Sequence, residues 1–173
     1  MSSSPALSRP IVATLFFASA LVTFPARAFE RQWHFGAGLG AASASGAYDT
    51  GIALGAHAAY GLSDVFDLRL ELQSSKNDVG ELPVWFHGGR FGIAYKLDVI
   101  QWIPYGGVSG GGFVVAWDGG TLLRPSAGAF VGLDYAASRH LGLGVIGAGD
   151  YVFVDSGVTL VTVLVRGEYR FGW

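Results

Sequence analysis

The stretch Val158-Thr159-Leu160-Val161-Thr162-Val163-Leu164-Val165-Arg166-Gly167-Glu168-Tyr169-Arg170-Phe171-Gly172-Trp173 decides the fold. Val161, Val163, Val165, Tyr169, Phe171 and Trp173 are apolar, while Thr162, Arg166, Glu168 and Arg170 between them are polar or charged. Side chains of a strand alternate between its two faces, so one face is apolar along its length and the other carries ionised groups. A soluble sandwich would cover the apolar face with a second sheet and end the strand in a polar turn. Here the charged face is the one that must be enclosed, and the apolar face needs lipid. That pattern belongs to a transmembrane β-barrel.

The same alternation recurs upstream. Trp33, Phe35, Ala37 and Leu39 open the series, followed by Ile52, Leu54, Ala56, Ala58 and Tyr60. A third strand sets Phe66, Leu68, Leu70 and Leu72 outside against Asp67, Arg69, Glu71 and Gln73 inside. A fourth sets Phe91, Ile93, Tyr95 and Leu97 against Arg90 and Lys96, and a sixth sets Ala129, Val131, Leu133 and Tyr135 against Asp134. The seventh carries Leu141, Leu143, Val145, Tyr151 and Phe153 outside, with Asp150 inward. In the fifth, Trp102 to Trp117, the run Gly110-Gly111-Gly112 leaves either face open and admits a bulge that switches register. The expected fold is all-β: an eight-stranded antiparallel up-and-down transmembrane barrel. Pro83, Pro104 and Pro125 fall near the starts of proposed strands, where a missing N–H does least harm. The outer loops read as Ser45 to Thr50, Lys76 to Pro83, Asp118 to Arg124 and Val154 to Gly157, all short.

The amino terminus predicts export. Arg9 precedes an apolar run from Ile11 to Phe24, and Pro25 leads to Ala26-Arg27-Ala28. A basic segment, a short apolar run and a small-x-small site make a cleavable signal peptide over residues 1–28, leaving 29–173 as the barrel domain. The apolar run is shorter than the roughly 20 residues that cross a bilayer as a helix. Cysteine is absent, so neither disulfides nor a lipidated cysteine is available. Cleavage removes Arg9 and Arg27, leaving nine basic against thirteen acidic residues, which argues against nucleic acid as a partner.

Height sorts the aromatics. With strands traced up and down, Trp33, Tyr60, Phe66, Tyr95, Trp102, Tyr135, Tyr169 and Phe171 fall at one end, an interfacial girdle. That end holds the turns Ser63-Asp64 and Ser138-Arg139-His140 and is expected to be periplasmic. Trp85, Trp117, Tyr151 and Phe153 make a sparser girdle opposite.

On these features the chain resembles the small Gram-negative outer-membrane β-barrel proteins, the kind that includes OmpX and the barrel domain of OmpA. The resemblance spans residues 29–173 and rests on the signal peptide, the Trp33-to-Gly40 strand, Pro104-Tyr105-Gly106-Gly107 and the aromatic carboxy terminus. It implies an outer-membrane protein, monomeric, in contact with outer-membrane lipids and lipopolysaccharide. It also implies a structural or surface-interaction role. Assembly would pass through periplasmic chaperones and the barrel-insertion machinery, which reads the last strand. Arg166, Phe171 and Trp173 match that assembly signal, while Glu168 stands where the signal has glycine.

Other chemistry is thinly supported. Some barrels of this size modify lipid A, which requires a nucleophile in reach of a histidine. Of His34, His57, His87 and His140, only His87 has conceivable partners, Asp155 and Ser156 in another outer loop. The bland reading is a rim histidine and a turn, so no catalytic residue is expected. Gly36-x-Gly38-x-Gly40 and Gly110-Gly111-Gly112 lack the helix a phosphate loop needs and read as strand glycines. No metal or cofactor is expected. Arg69, Glu71, Arg90, Asp134, Arg166, Glu168 and Arg170 all point inward in this register and should pair in so narrow a lumen. Strand midpoints put Glu71 near the level of Arg166, so the two are expected to pair. A filled, ion-paired interior is preferred to a passage, because an eight-stranded barrel has room only for side chains. The alternatives are a lipid A-modifying outer-membrane enzyme, a narrow channel for small solutes, and a soluble periplasmic barrel related in shape to lipocalins.

Overall fold

The computed structural model describes residues 31–46, 48–97, 101–154 and 157–172. The proposed signal peptide, Trp173 of the assembly signal, and Asp155 and Ser156 lie outside the described residues. Eight strands follow in chain order: β1 Trp33–Ala44, β2 Gly51–Gly61, β3 Phe66–Val79, β4 Leu82–Lys96, β5 Trp102–Trp117, β6 Gly120–Ala136, β7 Leu141–Val152 and β8 Val158–Phe171. Each pairs antiparallel with its neighbour in sequence, and β8 pairs with β1 to close the barrel. Following paired residues round from Trp33 passes Tyr60, Leu68, Ile93, Val108, Ala129, Gly149 and Val161. The path returns to β1 at Ser43, ten positions beyond its start. A stagger of this size goes with strands tilted by about 35–45° and an interior just wide enough for side chains to fill.

The strands run further than composition suggested. Lys76, Asn77, Asp78 and Pro83 are strand residues, and the β3–β4 link is only Gly80-Glu81 between the paired Val79 and Leu82. Gly80 has a φ of 62°, the conformation that the first central position of a two-residue hairpin demands. Thr121 to Arg124 likewise belong to β6, and Asp118-Gly119 alone turns the chain between Trp117 and Gly120. Gly120, at φ 149°, takes the positive φ at this link, and neither Asp118 nor Gly119 does. Pro125 is therefore inside β6 rather than near its start. Its carbonyl accepts from the Phe153 N–H, beyond the last β6–β7 pair Ser126–Val152, so the missing donor falls where that ladder ends.

β5 holds one register throughout, with no bulge. Ile103, Tyr105 and Phe113 are buried inside, and Trp102, Val108 and Gly110 face out. The glycines make room for the rings: a Cβ on Gly88 would strike Phe113, and one on Gly132 would strike Tyr105.

Outside, Leu39, Leu54, Leu70, Leu72, Phe91, Val108, Val131, Leu143, Val163 and Val165 form an exposed apolar belt. The lower girdle forms contacts at the end bearing the short β2–β3, β4–β5 and β6–β7 links. Trp33 packs on Tyr60, Phe66 on Tyr95, and Trp102 on Tyr135, with ring centroids 4.9, 5.5 and 5.0 Å apart. Tyr169 and Phe171 extend it along β8.

Candidate functional site

The interior has two storeys. The lower, nearer the aromatic girdle, is ionic. Buried there or at mid-height are five basic side chains (Arg69, Arg90, Lys96, Arg166, Arg170) and five acidic ones (Asp67, Glu71, Asp134, Asp150, Glu168), equal in number, while Arg124 of β6, opposite Phe113, is a further inward cation nearer the mouth. β3 and β4 lay Glu71 directly opposite Arg90, and the Arg90 guanidinium reaches Glu71 Oε2 at 2.6 Å while also pairing with Asp150 from β7. Arg69 Nε lies 3.5 Å from Glu71 Oε1. Across the barrel, Arg166 donates to both oxygens of Asp134, at 3.2 and 2.6 Å. Glu168 gathers Arg170 through its Nε at 2.6 Å, Arg166 at 3.7 Å and His57 Nε2 at 3.3 Å, with His34 Nδ1 at 3.9 Å. Lys96 closes the floor on Asp67 at 2.6 Å.

The seven inward residues named from sequence thus fall into two ion-paired groups, Arg69–Glu71–Arg90 and Asp134–Arg166–Glu168–Arg170, in pairs other than the one expected. Glu71 is engaged by Arg90 and Arg69, and Arg166 by Asp134. Strand tilt sets which residues share a level, and the direct cross-strand neighbour takes the carboxylate. Sequence reasoning left His34, His57, Asp67, Lys96 and Asp150 out of the network, although alternation set all five on the face opposite the apolar one. Tyr105 is a further unexpected member: the guanidiniums of Arg69 and Arg166 lie over its ring, 4.7 and 4.9 Å from the centroid. Such cation–π contacts are worth about 2 kcal/mol when desolvated.

The upper storey is apolar. Phe86, Phe113, Val152 and Leu160 are fully buried, packed with Ala42, Ala44 and Val84. Tyr48, from the β1–β2 loop, sets its ring edge-on to Phe86 at 5.5 Å, and Val79, Val115, Val154 and Val158 pack around this group. Asn77 ties the loop down, its amide donating to the carbonyls of Ala42 and Asp49 at 2.8 and 2.9 Å. The lumen is therefore not polar throughout; Leu160 and Leu164 share the inward face of β8 with Thr162 and Arg166. At the boundary Gln73 donates to Thr162 Oγ1 at 2.7 Å.

Little space is left. A cavity of about 20 Å³ sits between the storeys, touched by His57, Glu71, Gln73, Arg90, Thr162 and Arg166. Another of about 10 Å³ lies among the lower charges. Each has room for about one water molecule. Among the described residues no cluster of three or more His, Asp or Glu is placed to hold a metal ion.

The closed sheet, its stagger and its apolar belt invite comparison with solved barrels. A Neisserial surface protein A structure superposes with a TM-score of 0.69 at 17% identity, covering 81% of this chain and 96% of that one. The fold is that of the small outer-membrane β-barrels. The outer membrane protein OprG of Pseudomonas aeruginosa gives 0.63 at 11% identity, over 84% of this chain and 99% of that one. Ail, the attachment invasion locus protein of Yersinia pestis, gives 0.55 at 13%, over 83% and 100%. No family model and no curated protein matches the chain.

Proposed function

We propose that this chain is an integral outer-membrane protein whose barrel is closed to solutes and whose role is structural, with surface contacts confined to a low rim. One observation carries the reading: an apolar exterior bounded by aromatic girdles surrounds an interior filled from floor to mouth. An apolar belt of this kind is stable in hydrocarbon and not in water. The solved barrels it superposes on are outer-membrane and surface proteins by name, which supports the location. The two-residue turns at Gly80-Glu81 and Asp118-Gly119 leave little protruding surface, so spanning the membrane carries more of the reading than adhesion.

The test is electrical. Wild-type protein in a planar bilayer is expected to give no steady ionic current. A large, stable conductance would refute the closed lumen and put the narrow channel first.

A further inference from the structure

Charged and imidazole side chains are nearly absent from the outer wall. Among the described strand residues on alternating outward positions they number three, Lys76, Asp78 and His87, all on the β3–β4 hairpin. They gather in one patch. Ser74 pairs with His87 in the ladder and Lys76 with Trp85 one step above. Ser74 Oγ is 2.9 Å from His87 Nδ1. Trp85 stacks on the imidazole, centroids 5.8 Å apart and planes within 10°. Lys76 Nζ, half exposed, lies 3.9 Å from Asp78. Trp85 belongs to the upper girdle, so the patch sits where headgroups meet acyl chains.

Polar groups on a lipid-facing wall are costly in proportion to their depth, and this wall concentrates its own at one spot. The hydrogen bond orients the imidazole, and which ring nitrogen carries the proton depends on the tautomer. With the Ser74 hydroxyl donating to Nδ1, the neutral imidazole carries its proton on Nε2, free to donate away from the serine. Lys76 adds a positive charge one step toward the surface. A donor N–H beside an ammonium, at headgroup depth, matches a phosphate oxygen. We propose that Ser74, Lys76, Trp85 and His87 form a seat for the phosphate of an outer-leaflet lipid, with Asp78 weakening the site from its outer side. The proposal rests on the reading that this wall faces a membrane.

Full-length mature protein, folded in detergent, would be titrated with bis-phosphorylated lipid A and with the same lipid stripped of both phosphates, and retained lipid counted by native mass spectrometry. Wild type is expected to retain the phosphorylated form preferentially. Removing the charge and the imidazole donor in Lys76→Gln/His87→Phe, which keeps a ring against Trp85, should lower that affinity about tenfold or more, as the loss of a charge-assisted hydrogen bond implies. Lys76→Gln alone, at an exposed site, keeps the test alive should the double variant misfold. Asp78→Asn should tighten binding by a few-fold at most, the scale of an exposed charge pair. Equal retention of both lipids by wild type, or a preference that survives the Lys76 and His87 substitutions, overturns the seat. Failure of the protein to fold in detergent, or to take up either lipid, would instead fell the membrane reading beneath it.

Discussion

The two storeys of the lumen solve the same problem with opposite materials. Below, ten buried charges cancel through crossed pairs between β3, β4, β6, β7 and β8. Above, aromatic and aliphatic side chains pack as in a soluble core. The ionic storey is directional: each partner has a fixed geometry, and losing one strands another in a dry enclosure. The apolar storey excludes water without specifying orientation. Register is therefore set mainly from the floor, and sealing mainly from the roof.

The largest effect should come from the floor. Arg90→Met leaves Glu71 and Asp150 without their shared cation and is expected to cost about 4 kcal/mol in urea unfolding from lipid vesicles, near the cost of breaking a buried pair. A loss below about 1 kcal/mol would mean lumen water screens the cluster, and the contrast between storeys would collapse.

Next comes the roof. Phe113→Ala should cost about 3 kcal/mol through the cavity it leaves. It should also admit a measurable current in a planar bilayer, whereas Glu71→Ala should not, because the apolar storey above it stays shut. A current in Glu71→Ala but none in Phe113→Ala would place the seal in the floor instead.

The smallest effect lies at the boundary. Thr162→Val removes the acceptor of the Gln73 amide and should cost about 1–2 kcal/mol. Adding Gln73→Leu should recover most of that loss, since removing both partners leaves no donor stranded. A double variant as weak as the sum of the two singles would show that these side chains are not coupled.

Much of this was legible in the sequence because a strand's period is two. Phe66 to Gln73 declares its faces without help from any neighbour, and the girdle follows once the strands are traced alternately up and down. The storeys were hidden by attention to charge: Leu160 and Leu164 interrupt the polar face of β8 and announce an apolar roof. Pairing was illegible for a different reason. Glu71 meets Arg90 because register and tilt put them across from one another, and neither can be read from strand midpoints. The polar letters of Lys76, Asn77 and Asp78 suggested a loop, yet Asn77 faces inward to anchor one, and its neighbours face outward.

The seam between β1 and β8 joins twelve residue pairs, from Trp33 with Phe171 to Ala44 with Leu160. It links the two ends of the folded sequence, so its loop-closure entropy is the last and largest to be met during assembly. Until β8 arrives, the growing sheet carries two bare edges in a medium that offers their N–H and C=O groups no substitute partner. A seven-strand barrel is accordingly a poor resting state, and Arg166, Glu168 and Arg170 add their charges at the same moment the edges vanish. β8 thus closes the sheet and brings Arg166, Glu168 and Arg170 to Asp134 and to one another in the same step.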